Sequence, residues 1–130
     1  MRSYLAIAIS AVLLVIAAGY SGSIGFDRLP TSNANQALSA GIQNYEDGDY
    51  KAATKNLKRA LDLGLTYDRD IVQAHKYLAF IYCLSKQEKQ CRGEFRKALE
   101  KDNKFDLKPE EAGHPSWGPV FRDVKAKRKK

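Results

Sequence analysis

The sequence predicts an all-α fold of two helical hairpins closed by a C-terminal capping helix. Three observations predict it. Apolar residues recur at intervals of three and four from Ala34 onward. The pattern of the first pair of stripes returns 38 residues later, Ala98 standing where Ala60 stood. A last stripe, Trp117, Val120, Phe121 and Val124, has the same helical period and follows a stretch punctuated by Gly and Pro. At 130 residues, with 44% hydrophobic and 28% charged residues, the chain is sized for one domain, and its composition excludes disordered, collagenous and multi-pass membrane classes.

In chain order, residues 4–20, YLAIAISAVLLVIAAGY, come first, uncharged behind Met1 and Arg2. Their length falls between a signal-peptide core and a spanning helix of about 20 residues, so residues 1–22 read as a cleaved signal peptide or an uncleaved membrane anchor. The run Ile16-Ala17-Ala18-Gly19 resembles the stretch before a bacterial lipoprotein cysteine, but Tyr20 stands in the cysteine's place and offers no thiol to acylate. Residues 23–33 are rich in Gly, Ser, Pro and Asn without helical or strand period, and read as a linker. The domain is expected to begin at Ala34 and run to residue 112.

Ala34, Leu38, Ile42 and Tyr45 mark the first helix, with Ala37 and Gly41 beside them, and Asp47-Gly48-Asp49 ends it. Tyr50, Ala53, Leu57, Ala60 and Leu61 mark the second, closed by Gly64 as a C-cap. Leu78, Ala79 and Tyr82 belong to a third helix, and Cys91, Phe95, Ala98 and Leu99 to a fourth. The insertion that lengthens the period falls in the turn around Leu65 to Arg69. After Pro109, Glu110 and Glu111 favour a short helical turn ended by Gly113. Residues 113–124 then form the capping helix segment, in which His114-Pro115-Ser116 reads as a turn and cap and Pro119 fits the first turn of the helix, and cover the open end of the second hairpin.

The segment G-D-Y-x-x-A-x-x-x-L-x-x-A-L from Gly48 to Leu61 resembles the second helix of a tetratricopeptide repeat, and C-x-x-x-F-x-x-A-L from Cys91 repeats it. Small residues let paired helices approach, while Tyr50 and Leu57 fill gaps between hairpins. The resemblance covers residues 34–103, two tetratricopeptide-like hairpins. It implies that first helices line a concave face that binds a protein or peptide partner, here through Asn35, Ser39, Gln43, Lys76 and Tyr77, with His75 near it. Two repeats are fewer than the three or so that bury a continuous core, so supplements are needed. Trp117 and the capping helix are one, the alternative for Trp117 being an aromatic ligand platform. Cys83 and Cys91 are the other: in the repeat alignment they end one helix and begin the next across a short turn, which makes a disulfide geometrically plausible. Two reduced buried thiols are the alternative.

No catalytic or metal constellation accompanies these elements. Seven residues separate the cysteines and 38 separate His75 from His114, spacings that match no zinc motif. Glu111-x-x-His114 lacks a second histidine, and Gly113 and Pro115 break the helix such a site needs. The expectation is a protein that is no enzyme and uses no cofactor. Charge disfavours nucleic acid as partner. The net +7 resides chiefly in residues 122–130, RDVKAKRKK, and with Arg2 set aside residues 3–121 carry only +1. Lys125, Lys127, Arg128, Lys129 and Lys130 are accordingly read as a basic tail, solvated or in contact with an anionic surface.

The ending F-D-L-x-P-E-E-A-G-H-P-x-W-G-P-V-F, from Phe105 to Phe121, together with the N-terminal segment, resembles small tetratricopeptide envelope proteins, often lipoproteins, that accompany bacterial secretion machines such as type VI systems. That likeness implies a scaffold or adaptor on the periplasmic side of the envelope, secreted or membrane-anchored. A membrane- or cell-wall-surface module binding through the tail is the alternative. A cytoplasmic domain on the same anchor is a third arrangement, favoured by Arg2 preceding the apolar segment. Partner identity and oligomeric state stay open.

Overall fold

The computed structural model describes residues 32–128, and among these there are six helices and no strand. The signal or anchor at 1–22, linker residues 23–31, Lys129 and Lys130 lie outside the described residues. None of the described helices is long and apolar enough to cross a membrane.

Helix α1 spans Asn33–Glu46. Its N-cap is Ser32, whose Oγ accepts from the Asn35 backbone N–H at 3.2 Å, so the helix takes in the residue expected to end the linker. Helix α2 spans Tyr50–Leu63 and packs antiparallel on α1. The approach is close at Gly41, where a Cβ would meet Leu57 Cγ at 2.8 Å. Helices α3 (Asp68–Leu84) and α4 (Glu88–Lys101) form the second hairpin.

The two hairpins share the 38-residue offset at three of their four helix ends, Glu46 with Leu84, Tyr50 with Glu88 and Leu63 with Lys101. Only the start of α3 departs from it. Asp68, Arg69 and Asp70 precede the residue that the offset would place first, so the insertion lengthens α3 instead of enlarging the turn at 65–69. The reason is electrostatic. Two acidic residues in the first turn favour the helix N-terminus, and Asp70 Oδ2 accepts from Asn35 Nδ2 of α1 at 3.2 Å.

The turns inside the hairpins differ more than the helices do. Gly48 and Lys86 are equivalent by the offset, and both take left-handed backbone, with φ of 79° and 60°. Glycine does so freely, whereas lysine is strained there. Asp49 caps α2 by accepting from Ala52 N–H at 3.0 Å, but Gln87, its equivalent, gives α4 no side-chain cap. A disulfide joins Cys83 to Cys91 across this weaker turn, with Cα atoms 5.2 Å apart. Cys83 lies inside α3 and Cys91 inside α4, so the turn proper is only Ser85-Lys86-Gln87.

Helix α5 is the single turn Pro109–Ala112, with Gly113 as its C-cap. Helix α6 runs Gly118–Arg128. The division at 124 between capping helix and tail is therefore replaced by one continuous helix, whose last turn carries Lys125, Lys127 and Arg128 and complements the carbonyl end. Val120, Phe121 and Val124 face inward, and Phe121 meets Phe95 of α4 edge-on at 5.1 Å between ring centroids. One core gathers α3, α4 and α6 around Phe80, Phe95, Leu99, Trp117 and Phe121; the other gathers α1, α2 and α3 around Leu38, Leu57 and Leu78. Tyr45, Tyr77 and Tyr82 pack against both and join them.

Candidate functional site

The first-helix layer, α1 and α3, is where the sequence placed its binding residues. Asn35, Ser39 and Gln43 follow one another at intervals of four along α1. Asn35 is half-buried and committed to Asp70. Ser39 is exposed, and so is Gln43, whose Nε2 donates to Asp47 Oδ1 at 3.0 Å. Tyr45 stands on a different stripe of α1, in line with Leu38 and Ile42, and packs on Tyr50 and Tyr77 with centroid separations of 5.6 and 5.0 Å. Burial, then the charges of Tyr50, Tyr77 and Glu111, push the Tyr45 hydroxyl up to about 12. Burial and the nearby Glu111 and Glu46 raise Tyr77 as well. Both hydroxyls thus stay protonated as hydrogen-bond donors through the physiological range, and Tyr50 is 39% exposed beside them.

Three consecutive residues on α3, His75, Lys76 and Tyr77, point to three different neighbours, because each helix step turns about 100°. Tyr77 turns to the tyrosine cluster of α1. His75 turns into the α3/α4 hairpin, its Nδ1 lying 2.6 Å from Glu94 Oε2. Lys97 adds a donor to Glu94 Oε1 at 3.2 Å. Burial alone would raise the Glu94 carboxyl, but the hydrogen bond and charge of His75, with Lys97, outweigh it and hold the carboxyl below its ordinary value. This pair is an internal link of the hairpin, not part of a first-helix binding face.

Lys76 is withdrawn from partners more completely. It is 3% exposed, donates to Glu111 Oε1 of α5 at 2.7 Å, and lies over the rings of Tyr77 and Phe80. Trp117, 6% exposed, is sandwiched between Phe80 and His114, with centroids 4.1 and 3.6 Å away, and its Nε1 donates to the Glu111 carbonyl at 2.8 Å. The segment 111–117 therefore covers the α3 half of the first-helix face. Lys76 and Trp117 hold this cover in place and are not offered to a ligand. Left exposed are Ser39 and Gln43 on α1 and Tyr50 at the start of α2. Sequence reasoning assigned Tyr45 to the core of α1 and Tyr50 to gap filling, and nothing in their local spacing signalled a cluster, since it is completed by Tyr77 from the next hairpin. Glu111 was legible only as an acidic residue after Pro109.

At the other end of the molecule the basic residues expected to form a tail are partly engaged. Lys125 Nζ donates to the Phe105 carbonyl at 2.9 Å and pairs with Asp106 at 3.0 Å. Lys127 pairs with Asp123 at 2.9 Å, and Arg92 of α4 bridges Glu88 and the same Asp123. The hydrogen bonds from Lys127 and Arg92 hold the Asp123 carboxyl below the usual range. The charge distribution also differs from the expected single tail: the second helices α2 and α4 carry nine Lys or Arg against four carboxylates, whereas α1 and α3 carry two against three. Excess charge in the folded part is small, yet helix pairing sorts it onto one layer.

Among the described residues no three His, Cys, Asp or Glu are grouped to hold a metal ion. Compared with protein-family models, with curated proteins and with solved structures, the chain matches none.

Proposed function

We propose that the chain is a non-enzymatic interaction module, a scaffold or adaptor of the bacterial cell envelope that binds a segment of a partner protein along α1. The observation that carries this reading is the exposed pair Ser39 and Gln43 on α1, together with the Tyr45, Tyr50 and Tyr77 cluster on a neighbouring side of the same helix. Tyrosines supply rigid, amphipathic contact area at low entropic cost, and neighbouring amide and hydroxyl side chains adapt their hydrogen bonds to a partner's backbone. The tetratricopeptide resemblance supports the same layer as the binding face. The apolar segment 4–20 and the disulfide support an oxidising compartment at the membrane. The resemblance of residues 105–121 makes a secretion machine the partner to look for.

A photo-crosslinking residue placed at Ser39 or Gln43 in the full chain tests the proposal in cells. It should yield one discrete adduct, which Ser39→Arg in the Gln43 derivative removes, while the same crosslinker at Arg59 on α2 yields none. Identical adduct patterns from both layers would sink the reading. A second reading, a module held to an anionic surface by its basic end, is favoured by Arg96, Lys104 and Arg128, which make no ion pair among the described residues.

A further inference from the structure

We infer that the end of the domain at which the chain enters α1 rests on a bilayer interface through Leu63 and Tyr67. The inference goes beyond the α1 binding face and rests on the anchor form of the reading of residues 4–20. Contacts between helix ends define this end of the molecule. Ser32 caps α1, Asn35 donates to Asp70 in the first turn of α3, and Lys101, the last residue of α4, lies 3.9 Å from Asp68. The connection from α2 to α3 crosses the same end, and buried Leu65 fixes it to the core around Leu38, Leu57 and Leu78. On either side of Leu65 an apolar side chain turns outward. Leu63 is 49% and Tyr67 60% exposed, more than any other large hydrophobic residue among the described residues.

Neither residue packs into either core. Tyr67 carries the Arg69 guanidinium over its ring, 5.4 Å from the centroid. At a bilayer interface the Leu and Tyr bodies leave water, while the Tyr hydroxyl and the guanidinium keep their contacts with headgroups and water. Charge plays no selecting part at this end. Arg69 and Lys101 sit 3.6 and 3.9 Å from Asp70 and Asp68, and the exposed Lys104 and Asp62 add one charge of each sign. The contact is therefore indifferent to anionic lipid, unlike one made by the basic end.

The occupant follows from where the rest of the chain lies. Residues 21–31, eleven in number, join the apolar segment to Ser32. A chain of that length reaches at most about 40 Å, and its ends average roughly 20 Å apart. An anchored segment thus holds this end of the domain beside the headgroups at high effective concentration, so a contact of two side chains suffices where it would not between free molecules. Helix α2 carries the chain about 20 Å from Leu63 to Tyr50. The tyrosine cluster accordingly stands at the far end, turned away from the bilayer and open to a partner.

Fluorescence of the full chain in phosphatidylcholine vesicles, with and without lipid brominated near the headgroup end of its acyl chains, tests this. The indole introduced by Tyr67→Trp should lose about half its emission to the brominated lipid. The indole introduced by Tyr50→Trp should lose none, buried Trp117 being a background common to both chains. Adding Leu63→Asp to the Tyr67→Trp chain should abolish the quenching and leave the denaturant midpoint unchanged, because both side chains are exposed. Including phosphatidylglycerol should alter nothing. A chain washed off the vesicles by alkaline carbonate overturns the anchor reading and the docked end with it. A chain that stays, with the two indoles quenched alike or neither quenched, keeps the anchor and overturns the docking: the domain then tumbles on its tether, or Phe26 and Leu29 or a second copy cover Leu63 and Tyr67. Quenching that needs phosphatidylglycerol assigns the contact to the basic end and overturns the docking too. The crosslinks from Ser39 and Gln43 stand or fall separately from all of these outcomes.

Discussion

The ammonium of Lys76 sits 3% exposed against a carboxylate on α5 whose side chain is 16% exposed. Removing one partner therefore has a different consequence from removing the other. Glu111→Ala strands a buried ammonium and should destabilise the chain by about 3 kcal/mol. Lys76→Met keeps the aliphatic stem over Tyr77 and Phe80 and leaves Glu111 able to reach water, so its cost should be within about 1 kcal/mol. Urea denaturation of the two variants checks the asymmetry, and equal losses would contradict it. The position was legible in the sequence as helical but not as buried. Lys76 stands in the stripe of Val72, Ala79, Phe80 and Cys83, but a charged residue reads there as an interruption, and the acidic partner that makes its burial tolerable arrives from 35 residues downstream, beyond the reach of local periodicity. The same holds for His75 and Glu94. By contrast Cys83 and Cys91 were legible as a pair, because both their chemistry and their separation are local.

Among the elements, the in-hairpin turns show how one repeat can solve the same geometry in two ways. The first uses Gly48 at positive φ and Asp49 as cap; the second has Lys86 and Gln87 at the equivalent positions, and a disulfide. The strain of a left-handed lysine and the missing cap each amount to roughly 1 kcal/mol, comparable together to the 2 to 3 kcal/mol, approximately, that closing so short a loop contributes in the chain-entropy model. Replacing both cysteines by Ala should therefore lose about 2 to 3 kcal/mol. Adding Lys86→Gly and Gln87→Asp to that variant should recover about 1 to 2 kcal/mol. Denaturant midpoints of the three proteins decide it; no recovery would mean that the bridge acts elsewhere than on the turn. Most helix boundaries were readable because apolar stripes and Gly or Asp punctuation coincide. The first turn of α3 was not, since Asp68-Arg69-Asp70 contains no apolar residue and its contact is with Asn35 on another helix.

At the scale of the molecule the question is why two hairpins suffice where stacked repeats ordinarily need a third. The open face of the second hairpin is covered by two pieces of the C-terminal segment. Residues 111–117 lie on α3, and α6 lies on α4. The two cores then share α3 and the three tyrosines that touch both. If that sharing makes the domain one cooperative unit, damage in α6 must be felt in α1. Phe121 is 2% exposed and packs on Phe95 and Phe105, with ring centroids 5.1 and 5.5 Å away. Phe121→Ala should cost about 3 to 5 kcal/mol, and the loss should appear as a lower denaturant midpoint with one transition and an unchanged m value. Amide exchange in α1, which Phe121 does not touch, should accelerate by the same free energy as exchange in α4. A second transition, or protection retained in α1 alone, would show instead that the first hairpin stands by itself and that α6 caps only its own neighbour. In that case the α1 stripe would stay competent to bind when the capping segment is removed, and the two ends of the molecule would have to be treated as separate modules.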